Sequence, residues 1–250
     1  MCLDFYPFEF VRGGLTGYVV DRYDFQAEGS MTANHSPNSD FPYTDDMRSR
    51  FTEHLKAFER REHDQELGGE GLKHAAVTMT LIDDGSGQTA FILTRRTPRL
   101  SSHAGQKALP GGRIDAGETA IQAGLRELSE EINLHLGEDA VMGLLDDYPT
   151  RSGYVITPMV IWAGKNAEYS PNPDEVARIM PITLADLIRP DNPEFETIPE
   201  SDRPVLKIRF GDDHVHAPTA AVIYQFMEVV MRGRKNIRVD HVEQAVFAWK

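Results

Sequence analysis

Glu127, Glu130 and Glu131 stand close together in "GGRIDAGETAIQAGLRELSEEINL", the stretch from Gly111 to Leu134. In a helix of about 3.6 residues per turn, Glu127 and Glu131 lie almost above one another, with Glu130 one step round the surface. Like charges so spaced weaken a helix by ~0.2–0.5 kcal/mol per pair. In a partly dry cleft, repulsion at about 4 Å reaches ~4 kcal/mol at an effective dielectric of ~20. A solvated acidic face avoids that cost; a bound cation offsets it. The flanks favour the cation. Glycine tolerates positive φ, so Gly111 and Gly112, following Pro110, can turn backbone carbonyls in unusual directions. A hard divalent cation such as Mg²⁺ takes oxygen ligands in octahedral array at about 2.0–2.1 Å, from a few carboxylates, waters and substrate phosphates. Glu127 and Glu131, with Glu130 beside them and a glycine carbonyl from the preceding loop, make such a donor set.

The elements that must carry these residues are legible in outline. Ile121, Leu125, Leu128 and Ile132 form an apolar stripe that predicts helix packing against a sheet, with Glu127 and Glu131 near its boundary. "AAVTMTLID" and "TAFILTRR", joined by "DGSGQ", read as two strands with a short glycine-containing loop. "AVMGLLDDY" and "YVITPMVIWAG" read as two more, separated by "PTRSG". Thr44 is an expected N-cap for "DDMRSRFTEHLKAFERRE", where Met47, Phe51, Leu55 and Phe58 recur at helical spacing. Thr183 caps a short "LADLI" helix, and "VLKIRF", "GDD" and "HVH" suggest another hairpin. Pro218 suits the first turn of "PTAAVIYQFMEVVMR". Asp240 with Glu243 predicts a capping box for a last helix carrying Val242, Val246 and Trp249. Residues 1–43 differ in character, aromatic first and then "EGSMTANHSPNSDFP", and read as an extension or linker. Met31 inside it leaves an over-called start as the alternative to a genuine N-terminal arm. Residues 44–250 are expected to be one domain, of α+β class with a mixed sheet sandwiched between helices.

The formal net charge of −13 argues against a nucleic-acid partner, whose phosphate backbone is held by basic electrostatics. An acidic chain still takes a phosphorylated small molecule where a cation screens its carboxylates. Cys2 is the only cysteine, so no internal disulfide forms. No apolar run approaches the ~20 residues that span a bilayer, and no secretory signal is read at the start. The expectation is a cytoplasmic protein with no membrane partner. On oligomeric state both arrangements stay open: the terminal helices build a homodimer or cover the sheet.

Gly112, Glu118, Arg126, Glu127, Leu128, Glu130, Glu131 and Leu134 together resemble the Nudix box, G-x5-E-x7-R-E-U-x-E-E-x-G-U with U apolar. The late glycine is Asn133, a mild departure because Asn tolerates the left-handed conformation at a helix C-terminus. The resemblance implies a Nudix fold and hydrolysis of a nucleoside diphosphate linked to some further moiety. By matching position it implies that Glu127 and Glu131 bind Mg²⁺ or Mn²⁺, with Glu130 in the same cluster and the Gly111 carbonyl as an additional ligand. Arg126 and Glu118 are expected to form a supporting pair that orients Glu127. The cation polarises a phosphoryl oxygen and lowers the pKa of a water. The base for that water is Glu130 or an acid outside the box. Glu175 in "NPDEVARIMPI" is the preferred outside candidate, with Asp174 and Glu168 behind it. The alternative for Glu175 is a surface residue opening a strand.

Upstream, "ILTRRTPRLSSHAGQKALPGG" resembles the extra motif of the coenzyme A diphosphatase branch, roughly L-L-T-x-R-[SA]-x3-R-x3-G-x3-F-P-G-G. Leu93, Thr94, Arg96, Gly105, Pro110, Gly111 and Gly112 agree. Thr97, Ser101 and Leu109 depart, and Ser101 stands where that motif has an arginine, the side chain that grips phosphate bidentately. "TRSGYVITPMV" is similar to the same branch. This resemblance implies that coenzyme A and water give 3′,5′-ADP and 4′-phosphopantetheine, with Arg96 on a phosphate and His103, Gly105 and Gln106 in the loop over the substrate. Another Nudix substrate (ADP-ribose, an NDP-sugar or a dinucleotide polyphosphate) is the first alternative. A Nudix-like module that binds a nucleotide without turnover is the second.

Overall fold

The first element is set by its cap. In the computed structural model, which describes residues 41–63, 71–98 and 105–249, the Thr44 side chain accepts a hydrogen bond from the Met47 amide at 3.2 Å and opens α1, Asp45–Ala57. Asp45 and Asp46 in its first turn and Lys56 in its last complement the helix dipole. The helix stops short of the expected Glu62. Beyond Phe58 the chain is captured by two aspartates: the Arg61 amide donates to Asp146 and the Arg60 guanidinium to Asp147. The chain divides into Met1–Asn34 and His35–Lys250, and every described residue belongs to the second unit. Most of the N-terminal extension read from the sequence, up to residue 40, lies outside the described residues, as do Ser101 and His103.

The main sheet contains β1 (Lys73–Asp83), β2 (Thr89–Arg96), β3 (Lys107–Ala108), β4 (Gly111–Arg113), β5 (Val141–Leu144), β6 (Tyr148–Pro149), β7 (Tyr154–Trp162) and β8 (Val176–Thr183). It is mixed. β1 and β7 run parallel from Lys73↔Tyr154 to Leu81↔Trp162, and every other pairing is antiparallel. β1 and β2 pair only near their hairpin, at Leu81–Asp83. Beyond it they diverge, and the segment 107–113 fills the gap, with β3 on β2 at Thr94 and Arg95 and β4 on β1 at Ala75–Val77. Pro110, between the two short strands, accepts the Thr78 amide at 2.9 Å. That wedge delivers Gly111 and Gly112 to the middle of the sheet.

Alternation along the central strands assigns the two faces. Met79 and Leu81, Phe91 and Leu93, and Val160 and Trp162 point into one core. Ala76 and Ile82, Ala90 and Ile92, and Met159 and Ile161 point into the other. The first core is closed by α1 and by α4 (Thr219–Gln225), with Phe51 edge-on to Phe226 at 6.2 Å. The second is closed by α2, Ala120–Ile132, through Ala123, Leu128 and Ile132. The expected α+β, α/β/α sandwich is the observed fold, and α1 covers the sheet.

After β8, Thr183 caps α3 (Leu184–Leu187) as read from the sequence. A second, three-stranded antiparallel sheet follows, in order β11-β10-β9, from β9 (Glu194–Ile198), β10 (Ser201–Phe210) and β11 (Asp213–His216). α4 continues through a wider π-type turn over Phe226–Met231. One expectation fails here. Asp240 and Glu243 start no helix; only a single 3₁₀ turn forms, at Val246–Ala248. Glu243 instead takes two hydrogen bonds from Arg151 and one from Ser201, while its amide donates to the Pro204 carbonyl. A buried, charge-assisted set of partners outweighs a cap worth about 1 kcal/mol. Among the described residues, no helix is long and apolar enough to cross a membrane.

Candidate metal centre and its cleft

Thr119 caps α2 with a capping box, accepting from the Gln122 amide while Gln122 reaches back to the Thr119 amide. At the other end Asn133 adopts φ 51°, the left-handed cap that the sequence suggested. The buried face is rotated from the expected stripe. Ala123, Gly124, Leu128, Glu131 and Ile132 are buried, whereas Ile121 and Leu125 are only partly covered. Gly124 permits the rotation: a Cβ there would meet the Met159 Cε at 2.4 Å, so the helix backbone packs directly on the Met159 side chain. The rotation carries Glu131 inward.

Glu131 is 2% exposed, and burial pushes its pKa up to about 8, with Glu127 and Glu175 adding to the rise and Arg96 opposing it. Its carboxylate takes one hydrogen bond from Arg96 at 3.2 Å and a long one from the Gly111 amide at 3.4 Å. The Glu127 side chain is 13% exposed; burial raises its pKa too, against the pull of Arg126. Its carboxylate lies over Gly112, where a Cβ would fall 2.3 Å from Oε1. A side chain at 112 would therefore displace the carboxylate rather than strain the backbone. Glu130 stays half exposed, its side chain 50% accessible.

Arg126 organises the group. Its guanidinium donates to Glu118 through Nε at 2.9 Å and Nη2 at 3.0 Å, to Glu127 at 2.8 Å, to Glu130 at 3.0 Å and to the Arg113 carbonyl at 2.9 Å. Its hydrogen bonds hold the Glu118 carboxyl below the usual carboxylate range. The Arg126–Glu118 pair beside Glu127 is thus present in the geometry the sequence suggested.

Glu175 arrives by a different route. The last carbonyls of α2 lack helical partners, and the 170–172 segment supplies them: Ser170 N to Ile132 O, Asn172 N to Glu131 O and Asn172 Nδ2 to Glu130 O, all at 2.9–3.0 Å. The Glu175 carbonyl then accepts the Thr97 amide at 2.8 Å, next to Arg96. So placed, its charge acts on both Glu127 and Glu131. Asp174 and Glu168 are exposed. Gln106 and Gly105 lie by Arg96 and Arg95, the Gln106 carbonyl accepting the Arg96 amide and the Gly105 carbonyl the Arg95 Nε.

The donor set is all oxygen, and desolvation raises the pKa of both Glu127 and Glu131, which fits a hard divalent cation. Among the described residues no three His, Cys, Asp or Glu side chains converge as a ready metal cage. Arg126 draws Glu127 and Glu130 to itself while Arg96 holds Glu131, so guanidinium groups serve as the counter-ions.

Arg96, Gly111 and Gly112 also line a cleft of about 660 Å³. Its opposite material is the second sheet and the C-terminal segment, with His214, His216 and Phe247 among the lining residues. These were not singled out from the sequence; the available signal was the alternation in "HVH", which puts His214 and His216 on one strand face.

The NUDIX domain family profile matches residues 72–202, from just before β1 into β10 and including all of α2. The chain belongs to the Nudix family. Among Nudix relatives, the "Uncharacterized Nudix hydrolase NudL" of Photorhabdus laumondii is 37% identical over 117 residues, 46% of this chain and 62% of its own length. The protein of the same name from Citrobacter koseri is 33% identical over 127 residues, 50% of this chain and 65% of its own. The chain thus spans less than two thirds of the length of these curated Nudix relatives. A solved MutT/nudix family protein from Enterococcus faecalis aligns over 59% of this chain and 52% of its own, at 15% identity and a TM-score of 0.40.

Proposed function

We propose that this Nudix protein is a divalent-cation-dependent hydrolase that cleaves the pyrophosphate bridge of a nucleoside diphosphate derivative, with coenzyme A as the leading substrate. The observation that carries the reading is the pair Glu127 and Glu131, one helical turn apart. Both are desolvated, both are raised in pKa, and both lie beside a glycine strand that opens into a nucleotide-sized cleft. Mg²⁺ or Mn²⁺ held by Glu127, Glu131, Glu130 and the Gly111 carbonyl would supply Lewis acidity to a phosphoryl oxygen and to the attacking water. The chain's own groups do the rest. Arg126 fixes the Glu127 carboxylate through its bond at 2.8 Å. Glu130, half exposed at the cluster's edge, or Glu175, held beside it by the Asn172 contacts, takes the proton from water. Water's oxygen bonds to one phosphorus, the bridging P–O bond breaks, and the departing phosphate oxygen carries the second negative charge. Arg96 at the rim of the cleft is the phosphate contact, and Gly105 and Gln106 shape the adjoining wall.

Coenzyme A leads because Arg96, Gly105, Gly111 and Gly112, which match that branch's motif, all line the cleft. Ser101 in place of a motif arginine favours ADP-ribose as the second reading. Retention of all three box glutamates speaks for turnover over a regulatory module. Mass spectrometry of products after incubation with coenzyme A and, separately, ADP-ribose, each with Mg²⁺ or Mn²⁺, tests the assignment. Release of 3′,5′-ADP and 4′-phosphopantetheine supports coenzyme A; AMP and ribose 5-phosphate from ADP-ribose alone would replace it; no cleavage of either would remove both substrate readings.

A further inference from the structure

Phe247 is a large apolar side chain left 61% exposed on the wall of the cleft that Gly111 and Gly112 also line. Its ring stands edge-to-face with His216 at 5.4 Å and 86°, and His216 stands edge-to-face with His214 at 5.0 Å and 83°. An edge-to-face contact uses at most one face of a ring, so Phe247 keeps a face open. The segment that carries it is pinned rather than trailing. Glu243 is anchored by Arg151 and Ser201, Trp249 Nε1 donates to the Gln244 carbonyl at 2.8 Å, and the Arg151 guanidinium lies 5.0 Å from the Trp249 ring.

We infer that Phe247, with His216 behind it, is the stacking platform for the nucleobase of the substrate, a subsite that the second sheet and the C-terminal turn add to the phosphate-cleaving centre. This rests on the proposed function and extends it from the reacting phosphates to the base. A planar heteroaromatic ring is the occupant that covers an aromatic face and gains most from it. The imidazole wall favours such a ring over an alkyl chain. Burial, reinforced by His214 and Lys207, holds the His216 pKa below its ordinary value, so it presents a neutral ring at neutral pH. A cleft of about 660 Å³ accommodates a nucleotide-sized ligand spanning from this platform to Arg96.

The test is binding of AMP and of ribose 5-phosphate, which lacks the base, to the full chain in chelator, alongside hydrolysis with Mg²⁺. The wild type is expected to bind AMP more tightly than ribose 5-phosphate. Phe247→Ala and Phe247→Leu should each weaken AMP by about tenfold, a scale set by base–aromatic stacking, while ribose 5-phosphate binding stays unchanged and Phe247→Trp restores AMP. In turnover the same two variants should raise KM and leave kcat within about twofold. AMP affinity indifferent to Phe247, Phe247→Leu binding like the wild type, or equal loss for both probes would overturn the platform. The two readings fail separately. Absent hydrolysis with Phe247-dependent AMP binding removes the enzyme and keeps the platform, and intact hydrolysis with Phe247-independent AMP binding does the reverse.

Discussion

Gly112→Ala places a methyl group where the Glu127 carboxylate now lies. The added Cβ would fall 2.3 Å from Oε1, 2.5 Å from Cδ and 2.7 Å from Oε2. Non-bonded carbon contacts settle near 3.5 Å, so the carboxylate must retreat by about 1 Å. Gly112 is not among the residues with positive φ, so alanine adopts its backbone without strain. The loss of unfolded-state freedom is worth ~0.4–1 kcal/mol in favour of the variant, and a weakened Arg126–Glu127 contact costs a similar amount. Stability should therefore change little, while a 1 Å misplacement of a catalytic group lowers rate by about 10²-fold, equivalent to ~2.7 kcal/mol of barrier. The assay pairs Mg²⁺-dependent hydrolysis of coenzyme A and ADP-ribose with a thermal melt and a calorimetric Mg²⁺ titration. Gly111→Ala is the contrasting control. Its φ is +153° and its Cβ would fall 2.2 Å from the Ala76 carbonyl oxygen, a backbone atom, so it should disrupt the β1–β4 pairing and lower the melting temperature. Full turnover and unaltered metal affinity in Gly112→Ala would refute the reasoning.

Glu127→Gln and Glu131→Gln should each cut kcat by orders of magnitude and weaken Mg²⁺ binding, with the metal-free melting temperature no lower; unfolding without a selective loss of metal binding would count against their role. Because the Glu131 pKa is pushed up to about 8, the metal-free protein holds that proton at neutral pH. Cation binding should then release close to one proton at pH 6.5 and none at pH 9, with affinity rising as pH approaches 8; calorimetry in buffers of different ionisation enthalpy reads this directly, and zero release at pH 6.5 contradicts it. The same raised pKa means that this group's contribution to metal-free stability is present below the ordinary carboxylate value and lost as pH climbs through about 8. Glu243 works in the opposite sense: the Arg151 hydrogen bond pulls its pKa down to about 2, so its contribution is present above the ordinary value near 4.5 and lost as pH falls toward 2. Allowing for the half-exposed Arg151, that contribution is about 2 kcal/mol, and Glu243→Gln should flatten the acid limb of a stability profile from pH 7 to 3; identical limbs in variant and wild type would refute it.

What the sequence showed and what it hid divide along contact range. The β1–β2 hairpin and the Thr44, Thr183 and Asn133 caps depend on neighbours a few residues away, and each appears where local chemistry put it. The depth of Glu131 depends on how closely Gly124 lets the helix approach Met159, which periodicity alone does not report. Asp240 and Glu243 carry a sound local capping pattern, yet Arg151, distant in sequence, claims the carboxylate first. The Arg96–Glu131 pair and the approach of Glu175 likewise arise from strand pairing and from the tie between Asn172 and the end of α2. The acidic motif was readable, then, but which of its members sit dry was a property of the packing.

Arg96 and Arg126 hold the acidic cluster together through hydrogen bonds and offset part of its charge. If the centre takes a divalent cation as proposed, depletion of that ion should idle the protein rather than unfold it. On the proposed reading, a divalent cation would have to compete with these guanidiniums for the same oxygens, and Arg96, once displaced, would be released toward an incoming phosphate.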